Sequence, residues 1–281
     1  MSDLSIANPE QAQHWNDRAG RTWVELGDMI DDLLAPFAAM LVDEIGQGDN
    51  GRILDVGCGA GAVTLALAQR SGPDGHCLGV DISAPLVEAA RARASNQSIV
   101  TAEFVQADAE SHSFEAGGFD AIVSRFGVMF FGDPVAAFRN LRNAARSGGK
   151  LAFIAWRSAA ENGFMTTAER AARAVLPDLP PRDEAAPGQF AFGDGTRIRD
   201  ILDASGWRDI AVDPVDVTCV LPRSALRTYA TRMGPLGAIF PTLDDDVRAR
   251  LVTCLETAFE PFAEGDEMRF TAACWRVTAR A

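Results

Sequence analysis

The sequence predicts an α/β protein built on a parallel sheet. From Arg52 onward, short apolar runs end in Gly or Asp, and each is followed by a stretch with helical spacing, the alternation that builds βαβ units. A glycine-rich turn, Asp55-Val56-Gly57-Cys58-Gly59-Ala60-Gly61, separates the first run from the first helix. Of 281 residues, 47% are hydrophobic and 23% charged, which is enough apolar side chain for one large core and too much for a disordered chain.

The elements follow in order. Residues 10–46 place Trp15, Trp23, Ile30, Leu33, Phe37 and Leu41 at helical spacing, which predicts two amphipathic helices broken near Gly27 or Pro36. Strand 53–57, the glycine turn and helix 62–70 make the first unit. Strand 76–81 and helix 84–94 make the second, with Ser83 as N-cap and Pro85 in the first turn, where its missing N–H is tolerated. A third strand, 102–108, leads into a weakly patterned segment. A fourth, 119–126, leads into helix 134–146, opened by Asp133-Pro134 and stopped by Ser147-Gly148-Gly149 ahead of a fifth strand, 150–156. Beyond Trp156 the alternation breaks into a helix near 161–175, a proline-rich stretch too long for an ordinary connection, and a helix at 196–205. The runs 209–221 and 267–280 alternate like strands, and the segment between them is helical in character.

Composition excludes several function classes. A formal charge of −13, from 39 acids against 26 bases, repels phosphate polymers and anionic lipid, so no nucleic-acid or membrane partner is expected. The five cysteines are odd in number and lack any C-x-x-C pair, so neither a disulfide framework nor a metal site is suggested, and a reducing cytoplasm is the expected location. The first twenty residues carry acids and no apolar signal core, and no stretch reaches the length of a membrane span.

The chemistry concentrates at the glycine turn. Its glycines let backbone pass close to a ligand at the carboxyl edge of the sheet. Twenty residues after Gly61, Asp81 closes the second strand, where a carboxylate accepts hydrogen bonds from both hydroxyls of a ribose. Gly57-x-Gly59-x-x-Ala62 also satisfies the loose dinucleotide fingerprint. Asp55, two residues before the first glycine, repels a pyrophosphate and attracts an ammonium group, as S-adenosylmethionine carries.

With DVGCGAG, the VD that ends strand two, the QAD that ends strand three, and FDAIVSRFGVMFF before DPVAAFRNLRNAARSGGKLAFIAW, the chain resembles class I S-adenosylmethionine-dependent methyltransferases, most densely over 52–156. Within the class it is most similar to the small-molecule branch that includes ubiquinone and menaquinone biosynthesis C-methyltransferases. The resemblance implies a Rossmann-like, doubly wound, seven-stranded sheet of order 3-2-1-4-5-7-6 with the last strand antiparallel. It implies that Gly57, Gly59 and Gly61 line the methionine moiety, with Cys58 between them, and that Asp81 binds the ribose. Asp108 would take the adenine amino group with Ala109 beside it, Ile82 would pack on the adenine ring, and the backbone at Ser124 and Arg125 would lie beside the sulfonium. Residues 1–50 would cover the donor, 51–156 would form the donor-binding core, 157–195 and 222–266 would cap it and select the acceptor, and 196–221 with 267–281 would complete the sheet.

Each residue also has a plainer role. Asp81 and Asp108 suit helix caps, Asp55 suits holding the turn's amides, and Cys58 suits a small buried position without a basic partner. Arg125 either reaches an acidic substrate or cofactor carboxylate or forms a surface ion pair. Of the three histidines, His76 falls at the wrong edge of the sheet and His112 in a loop near the adenine end. His14, in the N-terminal helices, is the candidate base. Trp15 and Trp23 fall near one helical face if their helix is continuous, and either clamp a sulfonium or anchor the helices to the core. Phe190, Phe192, Met233, Leu236, Ile239 and Phe240 suit an apolar acceptor pocket or the cap's own core. The expected activity is methyl transfer from S-adenosylmethionine, leaving S-adenosylhomocysteine, to a small, partly apolar acceptor, by alignment more than by a dedicated residue. A nicotinamide-dependent oxidoreductase, a non-catalytic donor-binding module, an RNA methyltransferase using Arg139, Arg142 and Arg146, and a homodimer formed through the cap remain open.

Overall fold

The computed structural model describes residues 6–46, 51–72, 74–179 and 186–281. The tip of the proline-rich stretch, 180–185, and the first five residues lie outside them.

Three helices precede the sheet where the spacing predicted two: α1 (Pro9–Asn16), α2 (Arg18–Glu25) and α3 (Gly27–Ile45). The additional break is at Asp17, whose backbone leaves the helical region at φ −88°, ψ −133°. Pro36 does not break α3, because the face of Ile30, Leu33, Leu34, Phe37 and Leu41 is buried and the packing of that face offsets the roughly 3 kcal/mol that an interior proline costs.

The βα units follow the sequence reading closely: β1 (Arg52–Val56), α4 (Ala62–Arg70), β2 (His76–Asp81), α5 (Ala84–Asn96), β3 (Ala102–Gln106), β4 (Phe119–Arg125), α6 (Pro134–Ala144) and β5 (Ala145–Trp156). Ser83 caps α5 and Asp133 caps α6, each side chain accepting an amide of the first turn. After β5 come α7 (Gly163–Ala172), α8 (Gly195–Ala204), β6 (Arg208–Pro222), α9 (Leu226–Arg232), α10 (Gly234–Ile239), α11 (Asp245–Phe259), β7 (Ala263–Glu264) and β8 (Glu267–Arg280).

One sheet runs β3-β2-β1-β4-β5-β8-β6, with the two-residue β7 paired to β8. This is the expected order with one short strand added, and β8 is antiparallel to both β5 and β6. Strand β1 lies in parallel register between β2 and β4, so the direction of winding reverses at β1, and the carboxyl ends of β1, β2 and β4 open a crevice there. The core lies on both faces of the sheet. Phe138, Phe153 and Phe192 pack against one another on one face, which places Phe192 in the core of the sheet and not in a pocket wall.

Helix α7 packs against α11 and α10, and α9 against α10 and α11, so the segments flanking β6 form one helical layer. Asn162, fully buried, joins it to the sheet: its Nδ2 donates to the Ala273 carbonyl at 2.9 Å and its Oδ1 accepts the Ala273 amide at 2.9 Å. Asn162→Ala strands the Ala273 amide, while the Ala273 carbonyl keeps the Arg157 amide at 3.0 Å, so a loss of about 2 kcal/mol in unfolding free energy is expected from denaturant titration.

Candidate functional site

A cavity of about 910 Å³ opens at the carboxyl edge of the sheet, roofed by α1 and α2 and walled on its far side by α7, α9 and α10. That volume is at the upper end for small-ligand sites.

The glycine turn forms its floor. The Gly57 and Cys58 amides both donate to the Val80 carbonyl, at 2.8 and 3.1 Å, which pulls the turn against β2. Asp81 ties the two loops together: Oδ2 accepts the Gly59 amide at 2.8 Å and Oδ1 the Ser83 amide at 2.9 Å. Burial raises the Asp81 pKa against those hydrogen bonds. Gly57, at φ +68°, lies against Gly127, whereas a Cβ on Gly59 would meet nothing within 4 Å and would project into open space. Cys58 is buried on the cavity wall, and burial pushes its thiol well above the ordinary range, so it is an inert liner and no nucleophile.

Asp55 lies beneath the turn. Thr64 Oγ1 donates to its Oδ2 at 2.6 Å, and its Oδ1 is buried without a hydrogen-bond partner among the described residues. Burial raises its pKa to about 6, against the Thr64 hydrogen bond and the positive charge of Arg125. Arg125 projects from the end of β4 into the same wall. Its Nη2 donates to Asp31 Oδ1 at 3.1 Å, while Nη1 is buried and unpartnered among the described residues. The ion pair is therefore not the surface one envisaged, since the Arg125 side chain is only 12% exposed. Asp31 on α3 takes Arg93 Nη1 on its other oxygen at 2.8 Å, and Arg93 reaches back to the Ala60 carbonyl of the turn.

Two expected liners lie elsewhere. Gly61 is behind the turn, where a Cβ would press on Phe104 and Ala90, and it does not reach the cavity. Ser124 is buried below the wall. Its Oγ donates to Val56 O at 2.7 Å and accepts the Gly127 and Val128 amides, holding the loop after β4 in place. That loop begins with Phe126 at φ +67°, its ring stacked 4.2 Å from Trp156.

Along the β2–β3 edge, Ile82, Asp108 and Ala109 line the cavity. Asp108 does not cap the segment that follows it alone. Oδ1 accepts the Glu110 amide at 3.0 Å, while Oδ2 accepts Ala7 and Asn8 amides at 2.8 and 3.3 Å, fastening the start of α1 to the sheet edge. Asn16 and Trp15 complete the fastening, through Asn16 Nδ2 to the Ile82 carbonyl and Ser83 Oγ to the Trp15 carbonyl.

Trp15 and Trp23 meet edge to face at 5.6 Å, although the helix between them is broken, and Trp15 also abuts Phe130. His14, at the rim, packs its ring against Trp15, and burial lowers its pKa, which keeps the imidazole neutral at pH 7. His76 pairs with Glu103, and His112 packs on Phe114, both outside the cavity lining. Met233 and Leu236 line the far wall, whereas Phe190, Ile239 and Phe240 do not. Among the described residues no cluster of metal-ligating side chains is present, no helix is long and apolar enough to cross a membrane, and all five cysteines are free thiols.

Asp31 and Glu169 are cavity residues that the sequence reading missed. Glu169 is a carboxylate of α7 only 8% exposed. Its signal was its position on the inner face of a predicted helix beside Met165 and Ala168.

Residues 53–149 match a family described as the methyltransferase domain. An uncharacterized protein of Mycobacterium tuberculosis is 31% identical over 182 residues, which cover 63% of this chain and 65% of that protein. Nocamycin O-methyltransferase of Saccharothrix syringae is 26% identical over 89% of this chain and 92% of its own. Among solved structures, a SAM-dependent methyltransferase from Aquifex aeolicus superposes with a TM-score of 0.52 at 16% identity, covering 98% of this chain and 99% of that one. Residues 53–149 of the chain are thus similar to the methyltransferase domain family, and the chain shares the fold of the Aquifex aeolicus structure.

Proposed function

We propose that the chain transfers a methyl group from S-adenosylmethionine to a small, partly apolar acceptor held under the helical layer. The observation that carries this reading is the pair of buried atoms on one wall that have no hydrogen-bond partner among the described residues, Asp55 Oδ1 and Arg125 Nη1. An anionic oxygen and a cationic N–H on one wall complement the ammonium and carboxylate of an amino acid and do not suit a pyrophosphate over the turn.

In this reading Gly57, Cys58 and Gly59 pass along the methionine moiety, with the open side of Gly59 toward it. Asp81 accepts the ribose hydroxyls on lone pairs that its two amide donors leave. Ile82 covers the adenine face, and Asp108 Oδ1, which takes only one amide, accepts the adenine amino group beside Ala109. Asp31 and Arg93 hold the Arg125 guanidinium toward the carboxylate. When bound, the donor supplies an electrophilic methyl carbon on a sulfonium. Trp15, Trp23 and Phe130 exclude water and present ring faces to positive charge. His14, neutral, is placed to accept a proton at the rim. The N-terminal helices cover the donor, and the segments 157–195 and 222–266 select the acceptor. The activity named for the Saccharothrix syringae relative supports a small-molecule acceptor.

Calorimetric titration with S-adenosylmethionine, S-adenosylhomocysteine and NAD tests the donor. Both sulfur nucleosides are expected to bind, and Asp81→Ala is expected to weaken them about 10- to 100-fold, the worth of one to two charge-assisted hydrogen bonds. Binding of NAD alone would replace this reading with an oxidoreductase.

A further inference from the structure

We infer that Phe126 and Trp156 make the acceptor part of the cavity a slot for a flat, conjugated molecule, and that Phe126 is the residue that sets this preference. This rests on the donor reading above and deepens it by naming the acceptor's shape.

The backbone supplies the first argument. Along an extended strand side chains alternate between two faces, so Ser124 and Phe126 would point one way and Arg125 the other. Ser124 does point away from the cavity, into its hydrogen bonds with Val56, Gly127 and Val128, and Arg125 does line the cavity. Phe126 nonetheless lines the cavity beside Arg125, because its backbone turns to φ +67°. A bulky residue holds that left-handed conformation only where its surroundings over-determine it, and such positions cluster at ligand sites.

The surroundings are aromatic. The Phe126 ring lies 4.2 Å from the Trp156 ring with 3° between their planes, and the Phe126 amide donates to the Ile154 carbonyl of β5 at 3.0 Å. Phe37, fully buried on α3, packs edge to face against both rings, at 5.1 and 5.8 Å. The pair is therefore held from below and cannot swing aside. Trp156 in turn meets Phe164 of α7 at 6.1 Å, so three rings that line the cavity follow one another along this wall. Trp15 and Trp23 line it from the roof, with Phe130 against Trp15.

A molecule between roof and wall thus meets aromatic carbon on both sides. A flat conjugated ring offers its faces and edges to such surfaces, whereas a saturated ring of the same skeleton is thicker and has no π face. Phe126 is the wall ring next to Arg125, which the donor reading assigns to the donor's carboxylate. It is therefore the ring that an acceptor meets beside the donor.

Two probes share one carbon skeleton and one hydroxyl: 2-naphthol, which is flat and conjugated, and decahydro-2-naphthol, which is saturated and puckered. Burial of apolar area alone favours the second, which carries more of it. Titrated into wild type saturated with S-adenosylhomocysteine, 2-naphthol is expected to bind at least about tenfold tighter. Phe126→Leu keeps apolar bulk and loses the ring. In that variant the preference is expected to fall to within about threefold, with S-adenosylhomocysteine affinity at the wild-type value. Phe126→Gly and Phe126→Ala read the backbone: both delete the ring and only glycine relieves the positive φ, so the glycine variant is expected to melt about 2 °C or more above the alanine variant. Equal binding of the two probes by wild type, a preference unchanged in Phe126→Leu, or no binding of either probe would each overturn the inference. A Phe126→Leu chain that fails to fold or loses S-adenosylhomocysteine would make the ring structural or part of the donor site, and overturn it too. Glycine and alanine variants that melt together would remove the strained placement on which it stands. Failure of wild type to bind S-adenosylhomocysteine would instead overturn the donor reading.

Discussion

Gly127→Ala is expected to cost the fold about 4 kcal/mol or more, enough to leave the chain largely unfolded or aggregated at 37 °C. A Cβ on Gly127 would lie 2.5 Å from the Val56 carbonyl oxygen and 2.7 Å from the Gly57 Cα. Both obstacles are backbone, fixed by the β1–β2 and β1–β4 ladders and by the Gly57 and Cys58 amides on Val80, so no rotamer change relieves the clash. Gly57→Ala meets the same surface from the other side, at 2.6 Å from the Gly127 Cα, and adds the strain of a positive φ. Gly59→Ala is the control. It pays only the backbone strain, about 1 kcal/mol, because its Cβ meets nothing within 4 Å, yet it fills the space assigned to the donor and is expected to abolish S-adenosylhomocysteine binding. Thermal melts and calorimetry on the three variants check this. A Gly127→Ala protein that melts with wild type would show that the two loops do not touch.

Asp55→Asn is expected to make the ligand-free protein more stable at pH 8 and nearly blind to the donor. Burial raises the Asp55 pKa from 3.8 to about 6 in the folded chain. The folded state therefore binds more protons than the unfolded state between those values, so Asp55 contributes a destabilisation that is absent below about pH 4, grows as pH rises and is complete above about pH 6. The span corresponds to about 3 kcal/mol. Asparagine retains an oxygen for Thr64 Oγ1 and carries no charge, so its gain over wild type should approach that amount at pH 8 and vanish at pH 4. Donor binding runs the other way. The ionised carboxylate is the form that meets an ammonium, so wild-type affinity should rise through pH 6, while the asparagine variant stays flat and about 10- to 100-fold weaker above that pH. Denaturant melts and S-adenosylhomocysteine titrations at pH 4.5 to 8 read both limbs. An asparagine variant less stable than wild type at pH 8 would mean that Asp55 is already charge-compensated in the empty protein.

The two variants locate what the sequence revealed and what it concealed. The βα units were legible to within a few residues because their signals are local: Ser83 and Asp133 reach amides three residues on, and the glycine turn separates a strand from a helix within a few positions, whereas Ser147-Gly148-Gly149, read as a helix stop, lies inside β5, which begins at Ala145. Helix α1 ends at Asn16, seven residues short of Trp23, yet the Trp15 and Trp23 rings still meet across the break at Asp17. Three alternating glycines looked equivalent, but Gly57 is jammed against Gly127, Gly59 faces open space and Gly61 lies on Phe104. Ser124 looked like a wall residue and proved to be a strut under the Phe126–Val128 loop.

The sequence by itself determined the elements, their order, the parallel sheet with its crevice after β1 and the acids at the strand ends, since periodicity, caps and turn glycines act over a few residues. Only the tertiary structure decided which atoms of those residues keep a partner. Asp31 lies 62 residues from Arg93 and 94 from Arg125, and no periodic pattern joins them. The burial of Asp55 Oδ1 and Arg125 Nη1 without a hydrogen-bond partner among the described residues, and the burial of Glu169 on the far wall, arise from contacts between segments that meet only when the sheet is complete. Desolvation and hydrogen-bond geometry belong to that assembled surface and not to any stretch of chain.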